Sequence, residues 1–594
     1  MPPDDSEYQP LNVDDSDMVT PPAPKKVHRS VRIGLLFVVC LVFFGLASQP
    51  MGQYDISHHH MDSEESERSE KLGTVYSVAC EPTVENVECG FIIVPKNHLN
   101  DTVGTAKVAF ARYKAKKSPR KGSVFMNPGG PGHPGMHLAM DKGAEMANII
   151  GEDWDLIGFD PRGVGKTTPS TRCFPDIQSY RDMFANTVVE RGITVPSIAD
   201  LSSKDLHEAL LLQYEELLSL KRAQADMCRE HMGEELAYMG SVTVARDIEY
   251  MSRILEGQDA KVNYWGESYG SVIGSFLVNM FPERIGHVVI DGIVNPVLLT
   301  SEPTHKWPTN WLSDTEKTYQ VFLNDCSKAG PQRCALSLRQ GEPPETIERR
   351  LEFFFDETAR RPIPVSNGNR PGVLTSGTAR ALLLITLQNP NHWSTTARNF
   401  AEAMKGNATA LYNLHVPPPV TPNASFTDVL PPFTPDLQRQ AITCLDAPAP
   451  YPPDEAYPSA EDYAEQGLFT LRSMSRHFGV STGVGEPDGG CEWWPVHKRE
   501  EDKVDLSNAN GKLDEGRKVL VISNTADPIT PLSSGVLVNS LLPDSSVLVI
   551  QDGPGHCSTS FPSECIQRIQ REYFAGKIPL NGTICGVEKE TFSA

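Results

Sequence analysis

Residues 264–276 read YWGESYGSVIGSF. Ser268 stands there between Gly266 and Gly270, behind an apolar run and ahead of a run apolar enough for a buried helix. The fold turns on whether Ser268 is a nucleophile on a strand-to-helix turn or an ordinary turn residue. A Gly-x-Ser-x-Gly match decides nothing alone, because about a quarter of a match arises by chance in a chain this long. A second copy, GVSTG at 479–483, has no strand before it and VGEPDGG after it, so it reads as a flexible loop. Context selects Ser268. Its flanking glycines permit a turn too sharp for side chains, which lifts the hydroxyl above a sheet at a helix N-terminus that favours negative charge.

A serine hydroxyl needs a base to take its proton. After residue 500 the chain has one histidine, His556, in a Gly-Pro-Gly-His loop behind the strand-like SSVLVIQD. Asp527 follows the preceding strand-like run in NTADP. The order Ser268, Asp527, His556 is that of an α/β-hydrolase triad. Asp552 and Asp514 are rival acids, Asp552 being only four residues ahead of the histidine. Acyl transfer also needs two N–H donors for the oxyanion. Tyr269, after the serine, supplies one; Gly130 in the loop NPGGPG (127–132) is the choice for the other, since Pro128 and Pro131 have no N–H. A phosphate loop is excluded there by the missing Lys-Ser/Thr ending, and GVGKTTP (163–169) lacks the spacing, so it reads as a structural turn. Asp160 and Arg162 either brace the floor of the site or form a surface ion pair.

The surroundings of these motifs define the architecture. Strand-like runs at 90–94, 107–113, 122–127, 155–159, 262–267, 287–292, 518–526 and 545–551 alternate with helical stretches, including 203–256 and 563–576. That alternation predicts an α/β fold with a mostly parallel sheet, whose ligands sit at the carboxyl ends of the strands. Residues 301–510 break it with amphipathic runs such as PETIERRLEFFFDETARR and Pro-rich loops, and read as a mainly helical cap inserted between core segments 75–300 and 511–594.

The 594-residue chain carries a formal charge of −22, which argues against nucleic acid as a partner. IGLLFVVCLVFFGLA (33–47), preceded by KKVHRSVR, predicts a signal-anchor span over 33–48. Residues 1–32 are then a cytosolic tail, with a Tyr8-Gln9-Pro10-Leu11 stretch of sorting-signal form, and 49–74 a stalk; a cleaved signal peptide and secretion is the alternative. Of twelve cysteines, eleven follow this run. An oxidising lumen pairs most of them. Close spacing suggests Cys80–Cys89 and Cys326–Cys334; Cys173–Cys228, Cys444–Cys491 and Cys565–Cys585 are further candidate pairs without that support, leaving Cys557 free. Asn100, Asn407, Asn423 and Asn581 open glycosylation sequons. No Cys-x-x-Cys spacing calls for a metal, and His58–His60 read as part of a solvated stalk; no cofactor is expected.

NPGGPG, GFDPRGVGKTTPS, YWGESYGS, NTADPITP and GPGHCS…PSEC…GKIPLNGTIC together resemble the tripeptidyl-aminopeptidase-like branch of the prolyl-aminopeptidase family, from about residue 75 to the end. The resemblance implies an α/β-hydrolase serine exopeptidase acting on peptides with a free N-terminus, the triad falling on Ser268, Asp527 and His556. It also implies a cap that closes the site and an acidic group that holds the substrate amine; Glu267, Asp446 and Glu492 are candidates. Pro128 stands where prolyl aminopeptidases have His, which speaks against proline specificity. A serine carboxypeptidase, using Asn127 and Glu267 for the substrate carboxylate, a small-ester esterase and an inactive binding ectodomain are the alternatives.

Overall fold

The computed structural model describes residues 71–419, 437–448, 457–484, 489–506, 513–514 and 516–593. The expected span at 33–48, the Tyr8 stretch, His58–His60 and Asn423 lie outside these residues. Met1–Arg68 and Ser69–Ala594 separate as two units, and the description concerns the second.

Ten of the twelve strands among the described residues form one sheet. They are β1 (Val75–Val78), β2 (Val87–Pro95), β3 (Thr105–Tyr113), β4 (Ser123–Asn127), β5 (Asp155–Phe159), β6 (Val262–Glu267), β7 (Ile285–Asp291), β10 (Val519–Ala526), β11 (Ser546–Pro554) and β12 (Thr583–Gly586); β8 (Ile363–Val365) and β9 (Gly372–Leu374) make a separate hairpin. The order is β1-β2-β3-β5-β4-β6-β7-β10-β11-β12. β1, β2, β3 and β5 pair antiparallel, and every pairing from β5 through β4 to β12 is parallel. β4 and β5 are buried along their whole length, as strands covered on both faces must be.

The longer helices are α1 (Gly143–Ile150), α2 (Ile177–Phe184), α3 (Lys204–His231), α4 (Ser241–Glu256), α5 (Gly270–Met280), α6 (Thr315–Ala329), α7 (Pro344–Arg360), α8 (Ser376–Leu387), α9 (Trp393–Met404), α10 (Leu437–Asp446), α11 (Ala460–Ser473), α12 (Leu532–Leu541) and α13 (Glu564–Phe574). Helices α4, α5 and α12 pack on one face of the sheet and α1 and α13 on the other. The spacing of Ile566, Gln570 and Tyr573 puts one buried stripe on α13, as helical periodicity requires.

The segment 173–239, placed in the first core piece by the sequence, shares one apolar cluster with 437–496: Leu206, Leu210 and Leu217 of α3 meet Leu437 of α10 and Tyr463 and Leu468 of α11. A second cluster joins α6 through α9. The helical layer is therefore fed by two excursions, after β5 and after β7. An amphipathic pattern marks a buried face but not what buries it, so the sequence could not assign α3. The second serine motif also differs from its reading: Val480, Ser481 and Thr482 are buried, and Gly479 O accepts from Thr470 Oγ1 at 2.7 Å.

All five expected disulfides are present and Cys557 is free and buried. Five such bonds mark the chain as a protein of an oxidising, extracellular or secretory environment. Among the described residues no helix is long and apolar enough to cross a membrane. Asn100, Asn407 and Asn581 are exposed. Cys173–Cys228 spans 55 residues against 8 for Cys326–Cys334. Replacing both members of the longer bridge by Ala is expected to cost about 4 kcal/mol in the loop-entropy model, against about 2.5 kcal/mol for the shorter. Denaturant melts of the two variants check the ranking; an equal loss for both would refute it.

Candidate active site

The site lies at the carboxyl ends of β4, β6, β7, β10 and β11. Ser268, between β6 and α5, has φ 53°, a left-handed conformation that costs a non-glycine residue about 1–3 kcal/mol. The surroundings hold it there. Its N–H donates to Asp291 O at 2.8 Å, and its carbonyl accepts from Ser271 N at 2.8 Å and Ser271 Oγ at 2.6 Å. A Cβ on Gly266 would stand 2.6 Å from Gly270 O and from the Tyr264 ring, so the turn admits no side chain there.

Asp527 and His556 follow β10 and β11. The Nδ1 of His556 lies 3.1 Å from Asp527 Oδ1 and 3.0 Å from Oδ2. The fully buried carboxylate also accepts from Ile529 N at 3.0 Å, Thr530 N at 2.8 Å, Thr530 Oγ1 at 2.7 Å and Cys557 N at 3.0 Å. Burial alone would raise its pKa; the His556 charge and hydrogen bond, with the Thr530 and Ile529 N–H groups, hold it below the ordinary value. For His556 burial pulls down, but the Asp527 charge and hydrogen bond, then Glu267 and Asp291, raise it above the ordinary imidazole value. The rivals are elsewhere: Asp552 is exposed and accepts from Thr525 Oγ1 at 2.9 Å, and Asp514 pairs with Lys261 at 2.7 Å.

The ring and the backbone of the serine turn are linked through Cys557. Its Sγ lies 3.7 Å from His556 Nε2 and 3.6 Å from Asp291 O, the oxygen that also receives the Ser268 N–H. Among the described residues no hydrogen bond joins Ser268 Oγ to the ring; such bonds are commonly long until substrate binds.

The loop after β4 crosses this point. Asn127 Oδ1 accepts from Gly129 N at 2.9 Å. Gly129 has φ 93°, and a Cβ on it would stand 2.8 Å from Ser268 Cβ and 3.2 Å from Tyr269 N. The loop thus lies directly over the serine. With the Gly129 N–H taken by Asn127, the Gly130 and Tyr269 N–H groups remain, and among the described residues neither has a protein acceptor.

The three acids considered for a substrate amine are all engaged. Glu267 accepts from Thr559 Oγ1. Asp446, 1% exposed, accepts from Ser241 N at 2.9 Å and from Ser241 Oγ. Glu492, 6% exposed, accepts from Tyr463 Oη at 3.1 Å. Burial raises the pKa of Asp446 and of Glu492. Arg162 and Asp160 do not form a surface pair. Arg162 is fully buried and grips Asp247 at 2.6 and 2.7 Å, while Asp160 accepts from Met136 N at 3.1 Å and Lys166 N at 2.9 Å.

Several supporting residues escaped the sequence reading. The short helical turn Cys557–Ser560 after the histidine is held by Asp291, which accepts from Ser558 N at 3.0 Å and from Ser558 Oγ, and by Glu267 through Thr559. Thr530 locks Asp527; an Asp followed three residues later by Thr is the local signal for such a turn. Asp291 lies at the end of β7, and nothing in HVVIDG says that it faces a histidine loop.

Desolvation, then the Asp291 charge, lifts Glu267 to about 8, with the Thr559 hydrogen bond and His556 opposing; burial lifts Asp291 to about 6. A carboxyl raised in the fold contributes stability that is present below its unfolded value, 4.5 for Glu267, and lost as pH rises through about 8. Glu267→Gln keeps the acceptor for Thr559 but never ionises. Its melting temperature relative to the parent is expected to climb between pH 4.5 and 8 and level off above. Scanning fluorimetry across that range checks this; a difference independent of pH would overturn it.

Comparison with known proteins gives the same reading. Residues 122–339 match the family model of the alpha/beta hydrolase fold, and residues 480–585 that of TAP-like protein. The chain is 26% identical over 501 residues to serine protease Hip1 of Mycobacterium tuberculosis, covering 84% of this chain and 87% of that one. It is 22% identical over 520 residues to tripeptidyl aminopeptidase of Streptomyces lividans, covering 84% and 83%. It is 26% identical over 512 residues to carboxylesterase B of Mycobacterium tuberculosis, covering 84% and 87%. An elbow serine at the end of a central parallel strand, with the TAP-like match spanning the strands that precede Asp527 and His556, makes this chain a serine hydrolase of the α/β-hydrolase fold.

Proposed function

We propose that this hydrolase is an exopeptidase that releases short peptides from free N-termini through an acyl-enzyme on Ser268. The Asp527–His556 pair at the mouth that holds the strained Ser268 turn carries the reading. Asp527 fixes the tautomer in which His556 Nδ1 is protonated, so Nε2 is free to take the serine proton as Oγ attacks the scissile carbonyl. The Gly130 and Tyr269 N–H groups receive the oxyanion. His556 then gives its proton to the leaving amine, and water repeats the sequence on the acyl-enzyme. The likeness to a tripeptidyl aminopeptidase, and the helices that grip the loops of the site, support trimming of chain ends over internal cleavage.

The carboxypeptidase alternative is weakened by two observations. Asn127 is wholly buried, which closes its amide N–H2 off from substrate, and the Glu267 carboxyl is bound by the Thr559 hydroxyl. Neither presents itself to a substrate carboxylate. The esterase alternative draws on the carboxylesterase relative. The N-terminal segment supports a single-pass type II anchor, with the hydrolase on the luminal or outer side. Mass spectrometry of a free, N-acetylated and C-amidated peptide set incubated with the protein tests the proposal. Loss of N-terminal fragments from free and amidated peptides, with acetylated ones intact, is expected. Cleavage of acetylated peptides with amidated ones intact would overturn it, as would turnover of nitrophenyl esters with no peptide cleaved.

A further inference from the structure

We propose that helix α10 of the helical layer assembles the oxyanion hole, with Arg439 and Asp446 as positioning residues for the Gly130 and Tyr269 donors. The proposal rests on the assignment of those two donors above.

Arg439 Nη1 donates to Gly130 O at 2.7 Å, across from the helical layer to the core. In the receiving loop Gly129, Gly130 and Gly132 have φ of 93°, 111° and 103° and no side chains to pack. Asn127 fixes its base, but Gly130 itself has no other tie among the described residues. One buried guanidinium, 8% exposed, therefore sets where this peptide sits. Asp446 stands seven residues on, two turns along the same side of α10. Its carboxylate takes the Ser241 N–H, at the positive end of the 16-residue α4, and the Ser241 hydroxyl, which is bonded in turn to the Tyr269 hydroxyl. With the phenol held, the ring and the N–H of Tyr269 at the entry to α5 are held too. Helix α10 is anchored on its far side by Cys444–Cys491 and by Lys498 Nζ, which donates to Asp446 O at 2.6 Å. One rigid element thus reaches both donor residues, Gly130 directly and Tyr269 through the Ser241 hydroxyl, and neither tie is open to substrate. Seating of α10 sets the stabilisation of the oxyanion, and with it turnover, while ground-state affinity is left to other surfaces.

The test uses the full chain and its Arg439→Met, Arg439→Lys and Asp446→Asn variants. Two inhibitors are compared: a peptide aldehyde, whose hemiacetal oxygen enters the hole, and the same peptide with a reduced CH2–NH bond, which has no such oxygen. Misplacing a donor by about 1 Å costs on the order of 10²-fold. Arg439→Met is expected to lower kcat about 10- to 100-fold, with KM within about 3-fold. Aldehyde affinity should fall by the same factor while the reduced peptide binds as before, and Arg439→Lys, which keeps a donor, should recover most of the loss. Asp446→Asn should shift kcat and aldehyde affinity in the same way. If Arg439→Met proves unstable in a thermal melt, the Lys and Asn variants carry the comparison. An unchanged kcat, a raised KM alone, or equal weakening of both inhibitors in Arg439→Met or in Asp446→Asn overturns the proposal. Failure of the underlying assignment would look different: the parent chain itself would form no aldehyde adduct at Ser268.

Discussion

Ser268→Ala is expected to lower turnover of a cleavable peptide about 10⁶-fold while leaving the fold intact. The substitution removes one oxygen. The backbone bonds that impose φ 53° run through the Ser268 N–H and carbonyl, to Asp291 O and from Ser271, and alanine keeps both. The melting temperature should therefore stay close to that of the parent. Catalysis above the uncatalysed rate should persist at roughly 10³-fold, because the Gly130 and Tyr269 donors and the cleft remain. Covalent labelling by a fluorophosphonate probe should vanish. A His556→Ala variant should lose about as much, and the double variant little more, since base and nucleophile act as one unit. Steady-state kinetics on a fluorogenic peptide, beside a thermal melt, decide the matter. A Ser268→Ala chain that keeps more than about a hundredth of the parent rate would remove Ser268 from the chemistry.

How far these features were legible depended on where the information sits. The elbow could be read because its requirements are local: a strand, glycines on both sides of one serine, then a buried helix. Asp527 and His556 could be read because each follows an apolar strand late in the chain and His556 has no competitor there. The parallel sheet followed from alternation, and the disulfides from spacing and compartment. What could not be read is contact between distant segments. Arg439 on Gly130 O, Asp446 on Ser241 and Gln388 O on the His556 N–H at 2.8 Å each join residues separated by more than 160 positions, with no local sign of the partner. The three acids offered for a substrate amine were chosen for nearness to the nucleophile or to cysteines. Each proved to serve a neighbouring hydroxyl, which a single sequence does not show.

These distant contacts share a pattern. Thr315 Oγ1 donates to Pro528 O at 2.7 Å and Thr318 Oγ1 to Ala526 O at 2.9 Å, so α6 braces the loop that carries Asp527. Gln388, after α8, braces the histidine loop, and α10 the oxyanion donors. The helical layer therefore does more than cover the cleft. It supplies hydrogen bonds to the loops that carry Asp527, His556 and Gly130, and a short loop held from two sides loses less freedom when substrate arrives.

Asp527→Asn follows from the same geometry and should cost about 10⁴-fold in turnover. The carboxylate accepts five different donors: Ile529 N, Thr530 N, Thr530 Oγ1, Cys557 N and His556 Nδ1. It has no need of a donor of its own. An asparagine must turn its NH2 toward one side or the other. Facing the Oδ2 side, it meets the Cys557 N–H; facing the Oδ1 side, it meets those of Ile529 and Thr530. Either way a buried N–H loses its acceptor, which costs about 1–3 kcal/mol of stability. The amide also no longer selects the tautomer with the proton on Nδ1, and it gives the imidazolium no counter-charge. The sign of the pH effect follows. The Asp527 charge is the largest influence raising His556, so its removal lowers the pKa of the ring. The acid limb of kcat/KM should move to lower pH while the plateau falls. A pH–rate profile of the variant reads both at once. A plateau within about tenfold of the parent would show that another group orients the imidazole.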